Sequence, residues 1–197
     1  MRKSVLALTT IIMGLSLTIL SCENKEAKKE EPKNEAVSHD TLVKRGEYLV
    51  SVMGCDDCHS PKNMTPQGPQ IDMERRLSGY PAQRPIAKAE QAALKNGWML
   101  FAGDLTSAIG PWGQSFAANI TPDTKTGIGN WTEEQFKKAL TEGKAKGLEK
   151  SRDLLPPMPW QDFRNLHDDD IKAIYNYLLS IKPVENIVPD PKSPGDL

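Results

Sequence analysis

The chain has 197 residues, enough for one ordinary domain with additions, and its 25 basic and 26 acidic side chains leave a net charge of −1. That balance gives no electrostatic reason to expect a nucleic-acid partner. Aromatic residues make up only 6% while 14 glycines and 15 prolines punctuate the chain. The composition therefore predicts a loop-rich fold that needs more apolar material than its own side chains supply.

Residues 1–21 read as an export signal: Arg2 and Lys3 precede an apolar run from Val5 to Leu20, too short for the ~20 residues of a membrane span. Ile19-Leu20-Ser21-Cys22 closes the run in the manner of a bacterial lipobox, which makes Cys22 the candidate lipidated N-terminus. Residues 22–39 then alternate Lys with Glu and hold almost no large apolar side chain. Such a stretch cannot bury enough surface to offset its ordering entropy, so it reads as a charged flexible tether. The expected folded domain is 40–197, held by its lipid on the outer side of a membrane, in the periplasm or cell envelope.

Asp40 or Thr41 is placed to cap a first helix carrying Leu42, Gly46, Leu49, Val50 and Met53 at helical spacing. Gly46 inside that helix predicts close approach of another helix. The helix runs into Gly54-Cys55-Asp56-Asp57-Cys58-His59, the C-x-x-C-H signature of covalent haem attachment. Two thiols three positions apart reach the two porphyrin vinyl groups, and the histidine that follows faces the iron. A structural zinc site wants four ligands, and no cysteine follows Cys58; a thioredoxin-type pair wants a βαβ context that is missing here. The reading is one covalent haem c on Cys55, Cys58 and His59. With Cys22 lipidated, no thiol is left over, which suits an oxidising compartment.

Residues 60–119 form a long irregular insert. Pro66-Gln67-Gly68-Pro69 is turn chemistry, Ala87–Asn96 predicts a short helix stopped by Gly97, and the apolar runs 98–102 and 115–120 are set to pair as a small β-hairpin. Thr132-Glu133-Glu134-Gln135 has the form of a capping box ahead of Phe136, Ala139 and Leu140, with Gly143 as the stop. The last helix opens at Asp168, buries Ile171, Ile174, Tyr175, Leu178 and Ile181, and ends at Pro183. The tail 183–197, with four prolines, is expected to lie extended on the surface.

A second axial ligand can come from Met53, Met64, Met73, Met99 or Met158, with His39 and His167 as rivals. Met53 sits on the apolar stripe of the first helix, the next three fall in the irregular insert, and the two histidines sit in polar surroundings. Met158 is flanked by Pro157 and Pro159, which stiffen a short loop between two helices, and it is the preferred candidate. With His59 and Met158 both on the iron, no substrate position remains, and the expected role is one-electron carriage, not enzyme catalysis. The alternatives are a haem enzyme of peroxidase or reductase type, or a gas or redox sensor, with an open sixth site.

The ordered pieces resemble a class I, mono-haem c-type cytochrome, and more narrowly the cytochrome c domains of the cytochrome subunits of membrane-bound alcohol and aldehyde dehydrogenases. The pieces that carry the resemblance are residues 77–81 (LSGYP), 119–123 (NITPD), 126–132 (TGIGNWT) and Met158-Pro159-Trp160 leading to 173–178 (AIYNYL). The resemblance implies an all-α cytochrome c fold with a loop-rich insert. It also implies crossed first and last helices with Gly46 at the crossing, and ligation by Cys55, Cys58, His59 and Met158. Its partners would be redox proteins: a membrane dehydrogenase, a respiratory complex or an oxidase.

Overall fold

The computed structural model describes residues 38–88 and 90–197. The export signal, Cys22 and the tether up to residue 37 lie outside the described residues. Among the described residues, no helix is long and apolar enough to cross a membrane.

The core is a crossing of two helices. Helix α1 spans His39–Val52, capped by Ser38, whose Oγ accepts from the Thr41 amide. The helix thus starts two or three residues earlier than Asp40 or Thr41 would have set it. Helix α6 spans Asp168–Ser180, with Asp168, Asp169 and Asp170 at its positive end. Leu49 and Val50 of α1 meet Ile171, Ala173, Ile174, Tyr177 and Leu178 of α6, all buried. Each of the leucine, valine and isoleucine side chains among them contributes about 1.5–3 kcal/mol of burial. Gly46 makes the crossing tight: a Cβ there would lie 2.0 Å from the Ala173 carbonyl oxygen and 2.6 Å from Tyr177 Cβ. Arg45 ties the far side of the pair to Asp170 at 2.9 Å.

A third helix closes this core after several shorter elements. Helix α2 is Cys55–His59, strands β1 and β2 are Lys62–Thr65 and Gly68–Ile71, and α3 is Gln91–Lys95. Strands β3, β4 and β5 are Leu100–Phe101, Ser107–Gly110 and Gly113–Phe116. Helix α4, Glu133–Glu142, has the expected capping box, Thr132 with Gln135, and stops at Gly143; it buries Phe136 and Ala139. Phe136 lies against Tyr175 of α6, ring centroids 5.5 Å apart, and Tyr175 Oη donates to the Trp131 carbonyl. One short helix, α5 (Trp160–Phe163), follows the methionine loop.

The expectation of an all-α fold is overturned by two small antiparallel sheets, β1-β2 and β3-β4-β5. In the first, Pro66 and Gln67 form the turn of a hairpin that pairs Thr65 with Gly68 and Lys62 with Ile71. The second differs from the expected hairpin in its pairing. Leu100 faces Ile109, and β4 pairs with β5 about a turn at Pro111-Trp112. The run after residue 98 therefore pairs with Ser107–Gly110 and not with 115–120. The strands are four residues or shorter, with little apolar alternation, so periodicity carried almost no sign of them. Helix α3 is also shorter than the Ala87–Asn96 stretch.

The tail is not simply draped over the surface. Lys192 pairs with Gln114 at the edge of β5, the Val184 carbonyl accepts from Asn119 Nδ2, and Asn186 Nδ2 donates to the carbonyls of Ser78 and Tyr80.

Candidate functional site

The attachment motif follows α1 without a spacer. Gly54 turns the chain with φ +70, and the Asp57 amide donates to its carbonyl, so the five residues of α2 begin at once. Only glycine takes that left-handed φ cheaply, and a Cβ there would also come within 2.9 Å of Asp57 Oδ2. Cys55 and Cys58 lie one turn apart, both half-buried and both free thiols. Burial, then the neighbouring Asp56 carboxylate, pushes the Cys55 thiol up to about 11; burial and Asp57 raise Cys58 as well. Both are protonated thiols near neutral pH.

His59 is held from two directions. Its Nδ1 lies 2.8 Å from the Ala118 carbonyl oxygen. A carbonyl can only accept, so Nδ1 carries the proton and Nε2 keeps a free lone pair. Burial lowers the pKa of the ring, and the Ala118 contact opposes that only in part, so the neutral imidazole is favoured, the form that binds a metal. The His59 carbonyl accepts from the Gly79 amide at 2.7 Å.

Two of the sequence pieces quoted above build this hold. The Tyr80 amide donates to the Ala117 carbonyl and the Ile120 amide to the Leu77 carbonyl, so 77–80 and 117–120 run side by side. Gly79, at φ +79, fits because its missing side chain would sit 2.3 Å from the Ala117 oxygen and 2.6 Å from that of Ala118. Asn119 fastens the next turn: its Oδ1 accepts from the amide and hydroxyl of Thr121.

Several residues escaped the sequence reading. Arg76 grips Asp56 with two bonds, Nε to Oδ1 at 2.9 Å and Nη2 to Oδ2 at 2.7 Å, and its Nη1 donates to Tyr177 Oη at 2.6 Å. Ser60 Oγ donates to the same Asp56 carboxylate and accepts from the Leu77 amide. The first variable position of C-x-x-C is thereby tied to α6. No local pattern announces this, because Arg76 is 20 residues and Tyr177 121 residues from Asp56.

Met158 is half-buried in a loop fastened on its N-terminal side. The Leu154 amide donates to the Gly143 carbonyl, and Ser115 Oγ donates to the Pro156 carbonyl at 2.6 Å. Strand β5 and its continuation thus carry two fastenings, Ser115 to the methionine loop and Ala118 to His59. Three residues of extended chain separate them, about 10 Å. Met53 packs against the helical core, while Met64, Met73 and Met99 are exposed. His39 begins α1 and His167 caps α6, both exposed.

A haem fits this donor set: two adjacent thiols, an imidazole presenting a bare Nε2, and a thioether on a fastened loop. Among the described residues no group of three or more His, Cys, Asp or Glu side chains converges to hold a metal ion alone.

No family model matches the chain. It is 31% identical over 192 residues to the fructose dehydrogenase cytochrome subunit of Gluconobacter japonicus, covering 96% of this chain and 30% of that protein. It is 31% identical over 198 residues to the gluconate 2-dehydrogenase cytochrome c subunit of Pantoea cypripedii, covering 100% of this chain and 33% of the relative. With the cytochrome c subunit of the quinone alcohol dehydrogenase of Gluconobacter oxydans (strain 621H) it shares 33% over 154 residues, 77% of this chain and 24% of that one. The chain spans about a third or less of the length of these relatives. The resemblance drawn from the motifs therefore holds: the chain is similar to cytochrome c subunits of dehydrogenases. Such names belong to electron-transfer subunits, in keeping with the expectation that this chain is not itself the catalyst.

Proposed function

We propose that this chain, a cytochrome c domain of the kind dehydrogenase cytochrome subunits carry, holds one covalent haem c and passes single electrons outside the cytoplasm. Cys55 and Cys58 would form the two thioethers, His59 Nε2 the proximal bond to iron, and the Met158 sulfur the distal one. Bound haem supplies a reversible one-electron couple, and the protein's work is to attach, orient and shield it. The single observation that carries the reading is the Nδ1 contact of His59 with Ala118, directly after C-x-x-C, which leaves Nε2 bare for a metal. Ala118 fixes the ring's tautomer and angle, and Arg76 through Asp56 steadies the turn that bears the thiols. Methionine as sixth ligand raises the potential relative to a second histidine, which suits transfer from a dehydrogenase toward a respiratory complex or oxidase.

The domain 40–197 would be held at a membrane by a lipid on Cys22 and the tether 22–39. Restricting diffusion to a surface raises the effective concentration near a membrane-bound partner. The lipobox and the polar tether support this, and retention in the membrane fraction that is lost on Cys22→Ser tests it.

The decisive experiment is the absorption spectrum of the mature protein, oxidised and reduced, beside Met158→Ala. Low-spin c-type bands and a weak far-red methionine–iron band that vanishes in the variant are expected. A high-spin spectrum in the unaltered protein, or immediate binding of carbon monoxide, would mean an open iron and an enzyme or sensor instead.

A further inference from the structure

Helix α2 is five residues long, far too short to hold itself by its own hydrogen bonds, and its end leaves carbonyl groups that need donors. The Lys62 ammonium meets that need. It lies 2.7 Å from the Asp57 carbonyl oxygen, 3.1 Å from that of Ser60 and 3.3 Å from that of Asp56. The fourth acceptor is the Asp104 carbonyl at 2.9 Å, from the corner between β3 and β4. An ammonium has three protons, so the Asp56 oxygen shares one with a neighbour. The His59 carbonyl is taken by the Gly79 amide.

The corner that delivers the Asp104 carbonyl is itself rigid. The Asp104 side chain is 4% exposed, accepts from Arg84 Nη1 at 2.6 Å on one oxygen and from the Thr106 amide and hydroxyl on the other. The corner between β3 and β4 thus reaches the attachment helix through Lys62. All four acceptors of Lys62 are neutral carbonyls, so its charge is solvated by dipoles and not cancelled by a carboxylate. The two buried carboxylates among these residues, Asp56 and Asp104, are each already taken by an arginine, Arg76 and Arg84.

We propose that Lys62 is a positioning residue for haem: its ammonium binds carbonyls at the end of the attachment helix and keeps a positive charge there that holds the reduction potential up. The sign follows from charge alone. Oxidation adds one positive charge at the iron, and a fixed cation in a weakly screened setting opposes that gain. The same bonds orient the turn that bears both thiols.

The inference rests on the haem reading, and its test separates the two. Lys62→Met removes charge and donors while keeping the apolar stem; Lys62→Arg keeps both charge and donors. In the full chain loaded with haem, the midpoint potential of K62M is expected to fall, together with its melting temperature, and K62R is expected to restore the potential. A potential unchanged in K62M, or one that falls equally in K62R, overturns the proposal. Should K62M fail to accumulate with haem, the Lys62 ammonium protons of the unaltered protein are read by nuclear magnetic resonance. Slow exchange supports the carbonyl cage, and exchange as fast as at exposed lysines overturns it. An unaltered protein without covalent haem would instead defeat the haem reading itself.

Discussion

Replacing Gly79 by alanine tests how His59 is held. Gly79 sits at φ +79, a left-handed conformation that costs an alanine about 1–2 kcal/mol. The added Cβ would also lie 2.3 Å from the Ala117 oxygen, 2.6 Å from the Ala118 carbonyl carbon and 2.6 Å from its oxygen. Those are backbone atoms fixed by the paired segments 77–80 and 117–120, so they cannot rotate aside. Forcing a methyl into a filled site adds roughly 1–3 kcal/mol. The total loss expected is about 2–5 kcal/mol, read by urea denaturation of the haem-loaded protein. Gly97 provides the control, with φ +85 and nothing within 4 Å of a Cβ, so Gly97→Ala should lose only the conformational ~1–2 kcal/mol. The Ala118 oxygen that Gly79→Ala pushes is the one that accepts from His59 Nδ1. A weaker bond there makes the imidazole a poorer electron donor, so the midpoint potential should rise in G79A and stay put in G97A. If G79A loses no more stability than G97A and keeps its potential, the account of how His59 is oriented is wrong.

Three further outcomes follow from the same geometry. Gly46→Ala gains helix propensity of up to ~1 kcal/mol, yet its Cβ would meet the Ala173 oxygen at 2.0 Å, so thermal melting should show a net loss. Arg76→Met strands Asp56, whose side chain is only 15% exposed, and should cost about 3–5 kcal/mol in chemical denaturation. Adding Asp56→Asn to it should recover part of that loss; no recovery would show that Asp56 is not what Arg76 serves. Burial pushes the Asp104 carboxyl up, but the bonds from Arg84 and Thr106 outweigh it and leave the group below its ordinary value. A depressed carboxylate stabilises the folded state above the ordinary range, and that stabilisation fades as pH falls through the folded value. Melting temperature should therefore fall more steeply below about pH 4 in the unaltered protein than in Arg84→Met.

The sequence by itself determined the parts whose signal is local. C-x-x-C-H points to its proposed chemistry in five consecutive residues, because thioether attachment and proximal ligation need those groups at that spacing. The capping box at Thr132 and Gln135, the stop at Gly143 and the apolar stripe of α6 are likewise short-range, since a helix is built from neighbours three and four apart. Gly46 was legible as a close-approach position because it falls on the apolar stripe of its helix, with Leu42, Leu49, Val50 and Met53. The strands were not legible: none exceeds four residues, and what decides their pairing is the reach of the chain between them.

Only the tertiary structure decided how the attachment helix is held. The ring of His59 is oriented by a carbonyl 59 residues away, and Asp56 is gripped by Arg76, itself braced by Tyr177. The carbonyls at the end of the helix converge with one from residue 104 on a single lysine. Backbone carbonyls leave no mark in a sequence, because every residue has one. Which of them face a given histidine or ammonium depends on the path of the folded chain. For that reason the residues that bear the chemistry could be read in order, whereas those that orient it emerged only when distant segments were brought side by side.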